Sequence, residues 1–350
     1  MSDIRVGLVG YGTAGAYFHA PLVHATPGLS LAAVVTGNPD RRAEVAARYS
    51  AVAVADVRDL WERCDLVVVA SPNRTHVSTA AAALDHGLPV VVDKPLAGSA
   101  AEGRDLVRLA EERGLMLTVF HNRRWDGDFR TVLRLAGEGR LGEVRRFESR
   151  FERWRPVPKG GWRETGGPEE IGGLLYDLGS HLVDQAVRLL GPVREVYCES
   201  DVRREGVASD DDTFIALTHT GGPTDGARSH LWVSSVAAQL GPRFRVLGSR
   251  AGFVKYGMDV QEERLRTGIS PGSPGFGDDE EERWGLLGTE EAREVVRTEA
   301  GSYLDFYQGV AAALREGAPP PVDPREAVDV LTVIEAARLS ATQRTVIHLD

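Results

Sequence analysis

Short apolar runs alternate with helix-like segments over the first third of the chain. Each run is rich in valine, leucine or isoleucine, which is typical of strands buried in a parallel sheet. Because strands that alternate with helices build a doubly wound sheet, the pattern predicts an α/β domain at the N-terminus. The predicted strands are residues 4–9, 31–35, 66–70, 90–92 and 115–120, and the predicted helices are residues 43–49, 75–86 and 99–113.

The pattern changes after about residue 124. Residues 145–154 alternate, with Phe147 and Phe151 on one face and charged side chains on the other. Such alternation favours an antiparallel strand with one wetter face. We therefore expect a C-terminal α+β domain with a large open antiparallel sheet and helices on one face. Further strands are predicted at residues 193–199, 213–218, 229–236, 243–247 and 252–256, helices at 303–316 and 324–340, and a surface loop at 264–283.

A glycine-rich turn follows the first predicted strand. Gly10, Gly12 and Gly15 form a G-x-G-x-x-G pattern that stands before a helix-compatible segment. In dinucleotide-binding domains the first glycine permits a tight turn, the second lets the backbone approach a pyrophosphate, and the third lets helix and strand pack closely. N–H groups at the helix start, around Thr13 and Ala14, then hold the phosphates. A plain strand-turn-helix corner is the alternative.

Length and composition bound the class of protein. The chain has 350 residues, which suits two domains, and we predict a Rossmann domain at 1–122 and a substrate-binding and oligomerisation domain at 123–350. The hydrophobic content of 42% and charged content of 26% are typical of soluble globular proteins. A net charge of −10 argues against a nucleic-acid or anionic-membrane partner.

Cysteine usage and the chain start bear on location. The two cysteines, Cys64 and Cys198, lie in different predicted domains and suggest thiols of a reducing compartment. No apolar run approaches the roughly twenty residues that cross a bilayer, and the N-terminus enters a strand without a leader-like segment. We therefore expect a cytoplasmic protein without a membrane partner.

The end of the second strand bears on which dinucleotide binds. An acidic residue about twenty positions after the glycines usually binds the adenosine ribose. Here the strand ends at Thr36, and Asn38, Asp40 and Arg41 follow. Asn38 can donate a hydrogen bond and Arg41 can pair with a phosphate, so NADP is favoured, with NAD as the other candidate. A solvated turn that opens the next helix is the alternative, and Asp40 facing the ribose would favour NAD.

Two further polar stretches follow predicted parallel strands. Ser71, Asn73 and His76 come after the third long strand, and Lys94 with Pro95 comes after the fourth. Carboxyl ends of parallel strands are where this fold binds ligands, so we assign these four polar residues to the cofactor. Lys94 also suits proton transfer. The alternatives are a surface lysine and, for His76, a helix-start residue without chemical importance.

A third polar stretch lies in the second predicted domain. Asp177 and His181 are four residues apart, so they share one face of a helix. A carboxylate beside an imidazole can orient the ring as an acid–base group. Helix capping is one alternative; half of a metal site is another, but no nearby Cys, His or Glu completes it, so we predict no metal. Combined with the nucleotide fold and Lys94, the pair suggests hydride transfer.

In chain order these motifs resemble the glucose-fructose oxidoreductase and inositol dehydrogenase family, Gfo/Idh/MocA, over nearly the whole chain. The resemblance implies a Rossmann domain, a second domain with a large open sheet, and assembly through that sheet as a homodimer or homotetramer. It also implies Lys94, Asp177 and His181 as the catalytic residues. The residues that carry it are Gly10, Gly12, Gly15, Ser71, Pro72, Asn73, His76, Asp93, Lys94, Pro95, Tyr176, Asp177 and His181.

A closer resemblance is to the NADP-preferring scyllo-inositol dehydrogenase branch. It rests on residues 120–126, on Trp162 with Arg163, and on residues 18–21. It implies interconversion of a secondary alcohol and a ketone on a small polyol, either a cyclitol or a sugar. His19, within residues 18–21, is expected to be helix surface without a catalytic role. Candidates for the substrate wall are Arg123, Trp162 and Tyr176.

Two other functions fit the same scaffold. A nicotinamide-dependent glycosidase would leave the redox state of its substrate unchanged overall, so net NADPH formation would separate it from a dehydrogenase. A non-catalytic sensor would bind a dinucleotide and a protein partner. Such a sensor would not need Lys94 and His181 together, and their presence favours an enzyme.

Overall fold

The structure is a computed structural model that describes residues 2–166 and 171–349. The chain forms two compact units. The first contains Met1–Trp125, Val260–Gly277 and Ser302–Val328, and the second contains Asp126–Asp259, Asp278–Gly301 and Asp329–Asp350. The domain boundary after residue 122 stays a prediction. The compact units differ from it because two later segments pack with the N-terminal sheet.

The first unit is built on a six-stranded parallel sheet in the order β3-β2-β1-β4-β5-β6. The predicted doubly wound α/β architecture is therefore confirmed. The sequence pattern missed β3, since only three residues form it and just one of them is buried. The strands are β1 Ile4–Val9, β2 Leu29–Val35, β3 Val52–Val54, β4 Leu66–Val69, β5 Val90–Asp93 and β6 Leu117–Phe120, and the helices between them are α1 Ala20–Ala25, α2 Pro39–Tyr49, α3 His76–Asp85 and α4 Ala100–Arg113.

The register of the central strands aligns their carboxyl ends. Val9 pairs with Val35 on one side and with Val69 on the other, and Val69 pairs with Val92. The strand order reverses between β1 and β4, because the chain runs outward from β1 to β3 before it returns to β4. In open α/β sheets ligands bind in the crevice at such a switch point. The turns after β1, β2, β4 and β5 therefore meet at one edge of the sheet.

Two later segments complete the core of the first unit. They contain α8, Gln261–Arg266, and α9, Leu304–Glu316. Leu265 and Phe276 are buried in the same apolar cluster as Phe120. The expected surface loop at 264–283 is therefore wrong at these two positions. Single apolar residues in a glycine-rich, polar stretch produce no periodicity from which their burial would follow.

The second unit is built on a nine-stranded sheet in the order β14-β13-β12-β11-β7-β10-β9-β8-β15. Neighbouring strands are antiparallel except β7 and β10, which pair in parallel, so the sheet is mixed where an antiparallel one was expected. The α7 helix packs against β7 and β10. The strands are β7 Val144–Glu152, β8 Val193–Asp201, β9 Asp212–His219, β10 Arg228–Ser234, β11 Phe244–Gly248, β12 Gly252–Lys255, β13 Gly285–Gly288, β14 Arg293–Val296 and β15 Ile347–His348, and further helices are α5 Gly127–Gly137, α6 Trp162–Thr165, α7 Ser180–Leu190 and α10 Pro324–Gln343.

The two faces of this sheet differ in character. Phe147, Phe244 and Phe253 are fully buried on the face that the helices cover. On the other face Trp232 packs against Phe214, with ring centroids 5.1 Å apart. The guanidinium carbon of Arg150 lies 3.9 Å from the centroid of the Trp232 ring. None of the helices in the described part of the chain combines the length and apolar character of a membrane span.

Candidate active site

The glycine turn after β1 has the geometry that a bound pyrophosphate requires. Gly10 has φ +100°, and a Cβ there would lie 2.6 Å from the carbonyl oxygen of Ala70. A Cβ on Gly15 would lie 2.1 Å from the carbonyl oxygen of Gly10, whereas one on Gly12 would meet nothing within 4 Å. Close packing therefore requires glycine at positions 10 and 15, whereas Gly12 leaves open space beside the backbone. The residues present fit a dinucleotide.

The helix after this turn begins at Thr13 and Ala14, as the sequence suggested. It continues through a π-helical turn, Gly15–His19, into α1. Such turns occur frequently at functional sites. The turn brings His19 inward, where its side chain is 0% exposed. The expectation that His19 is helix surface is therefore wrong, because it assumed a regular helical period across this segment.

The turn after β2 carries polar groups and no acid at the strand end. Thr36 is buried, and its backbone N–H donates a hydrogen bond of 3.0 Å to the carbonyl oxygen of Val54, the last residue of β3. Asn38 caps α2, since its carboxamide oxygen accepts from the N–H groups of Asp40 and Arg41 at 2.9 and 3.1 Å. The side-chain oxygen of Asn38 thus caps the helix, and its NH₂ group is the donor that can bind a ligand. Asp40 and Arg41 are both exposed.

The loop after β4 is held by His76. The side chain is fully buried, with Nδ1 2.8 Å from the carbonyl oxygen of Pro95 and Nε2 3.0 Å from that of Ser71. Burial lowers the pKa of His76 and outweighs the opposing effects of Asp93 and the two carbonyls. His76 ties the ends of β4 and β5 together from inside the protein. The loop also places Asn73, which is nearly buried, and the Ser71 hydroxyl, 2.7 Å from that of Thr75.

Lys94 follows β5 in a segment that is fixed on both sides. The carboxylate of Asp93 accepts a hydrogen bond from the backbone N–H of Lys94 at 2.9 Å, while His76 contacts Pro95. Burial acts to raise the pKa of Asp93, but His19, Lys94 and His76 together hold it below its usual value. The lysine is half-buried at the same sheet edge as the glycine turn.

Arg123, a predicted substrate-wall residue, lies in the first unit and is only 5% exposed. Its guanidinium pairs with the carboxylate of Glu262 and donates to the hydroxyl of Tyr303 at 3.4 Å. Burial opposes ionisation of Glu262, yet Arg123 and Arg266 lower its pKa to about 2. These contacts tie Arg123 into the first unit, and its place in the substrate wall stays a prediction.

Asp177 and His181 lie where a second π-helical turn, Leu175–Gly179, leads into α7. The shared face of Asp177 and His181 therefore stays a prediction, because it rests on an α-helical period from which a π-helical turn departs. Asp210 supports this turn from another loop: its carboxylate accepts from the N–H of Leu175 at 2.7 Å, and its backbone oxygen accepts from Leu174 at 2.9 Å. Burial raises the pKa of Asp210 despite these hydrogen bonds.

Asp177 lines a cavity of about 190 Å³ in the second unit. Side chains of both charges line the same cavity, the cationic Arg153, Arg155, Lys159 and Arg204 and the acidic Glu164 and Asp210. His181 is 6% exposed and Tyr176 is 4% exposed, with the guanidinium of Arg338 5.5 Å from the tyrosine ring. Tyr176 is therefore covered by protein. The predicted side-chain role of Trp162 lies outside what the structure describes.

The first unit offers a lysine at the same sheet edge as a nucleotide-type turn. The second unit offers a carboxylate at a cavity with charged walls and, four residues on, a buried histidine. These groups can hold a dinucleotide, donate a hydrogen bond to a substrate oxygen and accept a proton. Within residues 2–166 and 171–349, His, Cys, Asp and Glu form no group of three or more that could hold a metal ion.

Comparisons with known proteins place the chain among oxidoreductases. Residues 4–121 match "Oxidoreductase family, NAD-binding Rossmann fold" of Gfo/Idh/MocA, and residues 134–349 match its "C-terminal alpha/beta domain". Scyllo-inositol 2-dehydrogenase (NADP(+)) IolW of Bacillus subtilis is 34% identical, over 100% of this chain and 97% of its own. The uncharacterized oxidoreductase YdgJ of Escherichia coli is 40% identical, over 100% of both chains.

A solved structure shows the same likeness in three dimensions. Bacillus subtilis yvaA superposes with a TM-score of 0.92 at 33% identity, over 100% of this chain and 99% of its own. The match therefore includes both compact units. The two family matches and the full-length relatives agree, and the chain belongs to the Gfo/Idh/MocA oxidoreductase family.

Proposed function

We propose that the protein is an NADP-preferring dehydrogenase that interconverts a secondary alcohol and a ketone on a cyclitol or sugar. The observation that carries this proposal is Lys94 at the end of β5, aligned with the open backbone at Gly12 across one sheet edge. Full-length similarity to a scyllo-inositol 2-dehydrogenase supports the substrate class.

A bound nicotinamide would supply the hydride acceptor or donor. His181 accepts the proton of the substrate hydroxyl, and Asp177 orients its ring. Lys94 donates a hydrogen bond to the substrate oxygen as negative charge develops there. The catalytic assignments are therefore Lys94, Asp177 and His181.

The cofactor assignments follow the four turns at the sheet edge. The backbone at the glycine turn holds the pyrophosphate, and the absence of an acid at Thr36 favours a 2′-phosphate, which Arg41 and the NH₂ group of Asn38 would meet. His76 acts by positioning the loops, because both nitrogens of its buried ring lie within hydrogen-bond distance of backbone carbonyls, those of Pro95 and Ser71. The proposed cofactor residues are Gly10, Gly12, Thr13, Ala14, Gly15, Thr36, Asn38, Arg41, Ser71, Asn73, His76 and Lys94.

Thr36→Asp tests the choice of cofactor. The added carboxylate would repel a 2′-phosphate and accept hydrogen bonds from a free ribose, so the ratio of kcat/KM for NADP to that for NAD should fall. Ser78→Asp, on an exposed part of α3, adds the same charge elsewhere as a control. Wild-type protein that turns over NAD better than NADP would contradict the proposed preference.

We also propose a homodimer or homotetramer formed through the outer face of the second-unit sheet, and a cytoplasmic location. The outer face presents the aromatic cluster around Trp232, and Leu286 and Val295 are exposed at its far end. Cys64 and Cys198 are free buried thiols, as in proteins of reducing compartments. Light scattering that reports a monomer at working concentration would contradict the assembly.

A substrate screen tests the reaction itself. Inositol isomers, pentoses and hexoses are each incubated with NADP or NAD, and reduced cofactor and products are measured. Net NADPH formation with a ketone product is expected. Glycoside cleavage without net cofactor reduction would support the glycosidase alternative. Dinucleotide binding without turnover of any polyol or ketone would support the sensor.

A further inference from the structure

His19 and Tyr307 lie behind Lys94 and take no part in the proposed chemistry. His19 is fully buried, and its Nδ1 is 2.6 Å from the hydroxyl of Tyr307 on α9. Its Nε2 lies 3.7 Å from a carboxylate oxygen of Asp93. The ring packs on Phe120, with centroids 4.5 Å apart. An imidazole in this position has no surface through which to meet a ligand, so its contacts must act within the protein.

The contacts select one arrangement of protons. A carboxylate can only accept, so the tautomer in which His19 can serve Asp93 is the one with a hydrogen on Nε2. In the neutral ring Nδ1 is then an acceptor, and the hydroxyl of Tyr307 donates to it. The same Asp93 oxygen accepts from the backbone N–H of Lys94. A continuous chain of groups therefore runs from Tyr307 through His19 and Asp93 to the backbone of Lys94.

We infer that His19, oriented by Tyr307, is a positioning residue that holds Asp93 and thereby fixes Lys94 for catalysis. The Nε2 contact is longer than a hydrogen bond, and this nitrogen has no hydrogen-bond partner among residues 2–166 and 171–349, so Asp93 is the group it can serve. The groups that face Asp93 are His19, Lys94, His76 and, beyond His19, Tyr307. This inference rests on the proposed function for the role of Lys94 but not for the link between His19 and Asp93.

Two replacements divide the functions of the imidazole. The carboxamide of glutamine places an NH₂ group near the position of Nε2, whereas that of asparagine reaches only the position of Nδ1. His19→Gln should therefore keep kcat close to wild type. His19→Asn should lower kcat about ten- to a hundredfold with little change in KM, as expected for a displaced catalytic group. His24→Gln, on the exposed side of α1, is the matched control.

A second readout does not depend on turnover. The ¹³C resonance of the Asp93 carboxyl, assigned through Asp93→Asn, is followed against pH in each variant. Loss of the Nε2–H should raise the pKa of Asp93 in His19→Asn and leave it near wild type in His19→Gln. Tyr307→Phe, which removes the orienting hydroxyl, should raise the pKa in the same direction. It serves as the second variant if His19→Asn does not fold.

The two readouts separate two failures. If the wild-type protein turns over no polyol, the proposed function fails, and the Asp93 titration alone decides this inference. If the Asp93 carboxyl titrates alike in wild type, His19→Asn and Tyr307→Phe, the link is absent and the inference is overturned. Equal kcat in His19→Gln and His19→Asn would overturn it as well, because both variants would then reflect only packing around the ring.

Discussion

The two groups of candidate residues are supported in different ways. In the first unit Lys94 is fixed by backbone contacts at the ends of neighbouring parallel strands, through Asp93 and His76. In the second unit Asp177 lies on a π-helical turn whose start is held by a half-buried carboxylate from a distant loop, Asp210. The first support follows from sheet topology and tolerates little change. Both depend on single side chains, but Asp93 ends a strand of the parallel sheet whereas Asp210 belongs to a loop, so the second is easier to alter without unfolding the protein.

Removal of the proposed proton-handling groups should have the largest effect. Lys94→Ala and His181→Ala should each lower kcat by about a hundred- to ten-thousandfold, because both groups act on the substrate oxygen or its proton. Lys94→Arg should not restore activity, since a guanidinium differs in shape and does not give up its proton. NADPH titration and melting curves should stay near wild type. His348→Ala, at an exposed site, is the control. If kcat of His181→Ala falls by less than tenfold, the role of His181 is structural.

The glycine turn can be tested with a matched pair of alanine variants. Gly10→Ala forces φ +100° on a residue with a Cβ and brings that atom against Ala70, so it should destabilise the first unit by about 1–3 kcal/mol from strain alone. Gly12→Ala meets no neighbour and should keep its melting temperature. Its methyl group should still lower NADPH affinity about tenfold, or ~1.4 kcal/mol, by crowding the pyrophosphate. Equal affinities in Gly12→Ala and wild type would place the dinucleotide elsewhere.

The Arg123–Glu262 pair separates a structural role from a substrate-wall role. Arg123→Ala leaves a buried carboxylate short of its main partner and should cost about 3–5 kcal/mol of unfolding free energy at pH 7. The pKa of Glu262 in the folded protein is lowered to about 2. The stabilisation is therefore fully present at pH values above the pKa of Glu262 in the unfolded state, and it is lost as pH falls through about 2. The difference between variant and wild type should therefore shrink in acid.

Arg266→Ala is the control for that pair, because Arg266 contacts the same carboxylate at 3.0 Å from a largely exposed position. It should cost at most about 1 kcal/mol. Both variants are compared by urea unfolding at several pH values. A raised KM for substrate with unchanged stability in Arg123→Ala would restore the predicted wall residue.

Asp210→Asn should have the smallest effect and tests the support of the second unit. Burial raises the pKa of Asp210, so the folded state holds its proton more tightly than the unfolded state. Ionisation of Asp210 therefore lowers the free energy of unfolding. The loss begins as pH rises above the pKa of Asp210 in the unfolded state and is complete above its pKa in the folded state. Asparagine keeps an acceptor for Leu175 without that cost. Tm should rise by roughly 1–3 °C at pH 7 and match wild type near pH 4; a lower Tm at pH 7 would contradict this.

The parallel sheet and its glycine turn were predictable because their signals are local. A valine-rich run followed by glycines at fixed spacing determines a strand, a turn and a helix start within about fifteen residues. The buried position of His19 was not predictable, since a π-helical turn shifts the helical period and leaves no mark in the residue pattern. The contact of Tyr307 with His19 joins residues 288 positions apart, and single-sequence patterns carry no information on such pairs.

The same limit explains the errors in the second unit. The alternation in residues 145–154 predicted a strand correctly, but strand direction relative to β10 depends on connections that periodicity does not record. Asp177 and His181 were singled out by their spacing, and the carboxylate of Asp210 that supports their turn was not. A polar residue in a loop gives the same signal whether it is solvated or, as here, half-buried and hydrogen-bonded to a turn.

The late segments of the first unit have a consequence for biosynthesis. Thr118 on β6 donates to the carbonyl of Val322, and Phe120 packs against Phe306. The N-terminal sheet therefore emerges from the ribosome about two hundred residues before its cover does, a delay of roughly 10–40 s at ordinary elongation rates. During that time an apolar patch on the nascent chain has no partner from its own sequence. Chaperone binding to the nascent chain should therefore matter more for this unit than the position of its sheet near the N-terminus suggests.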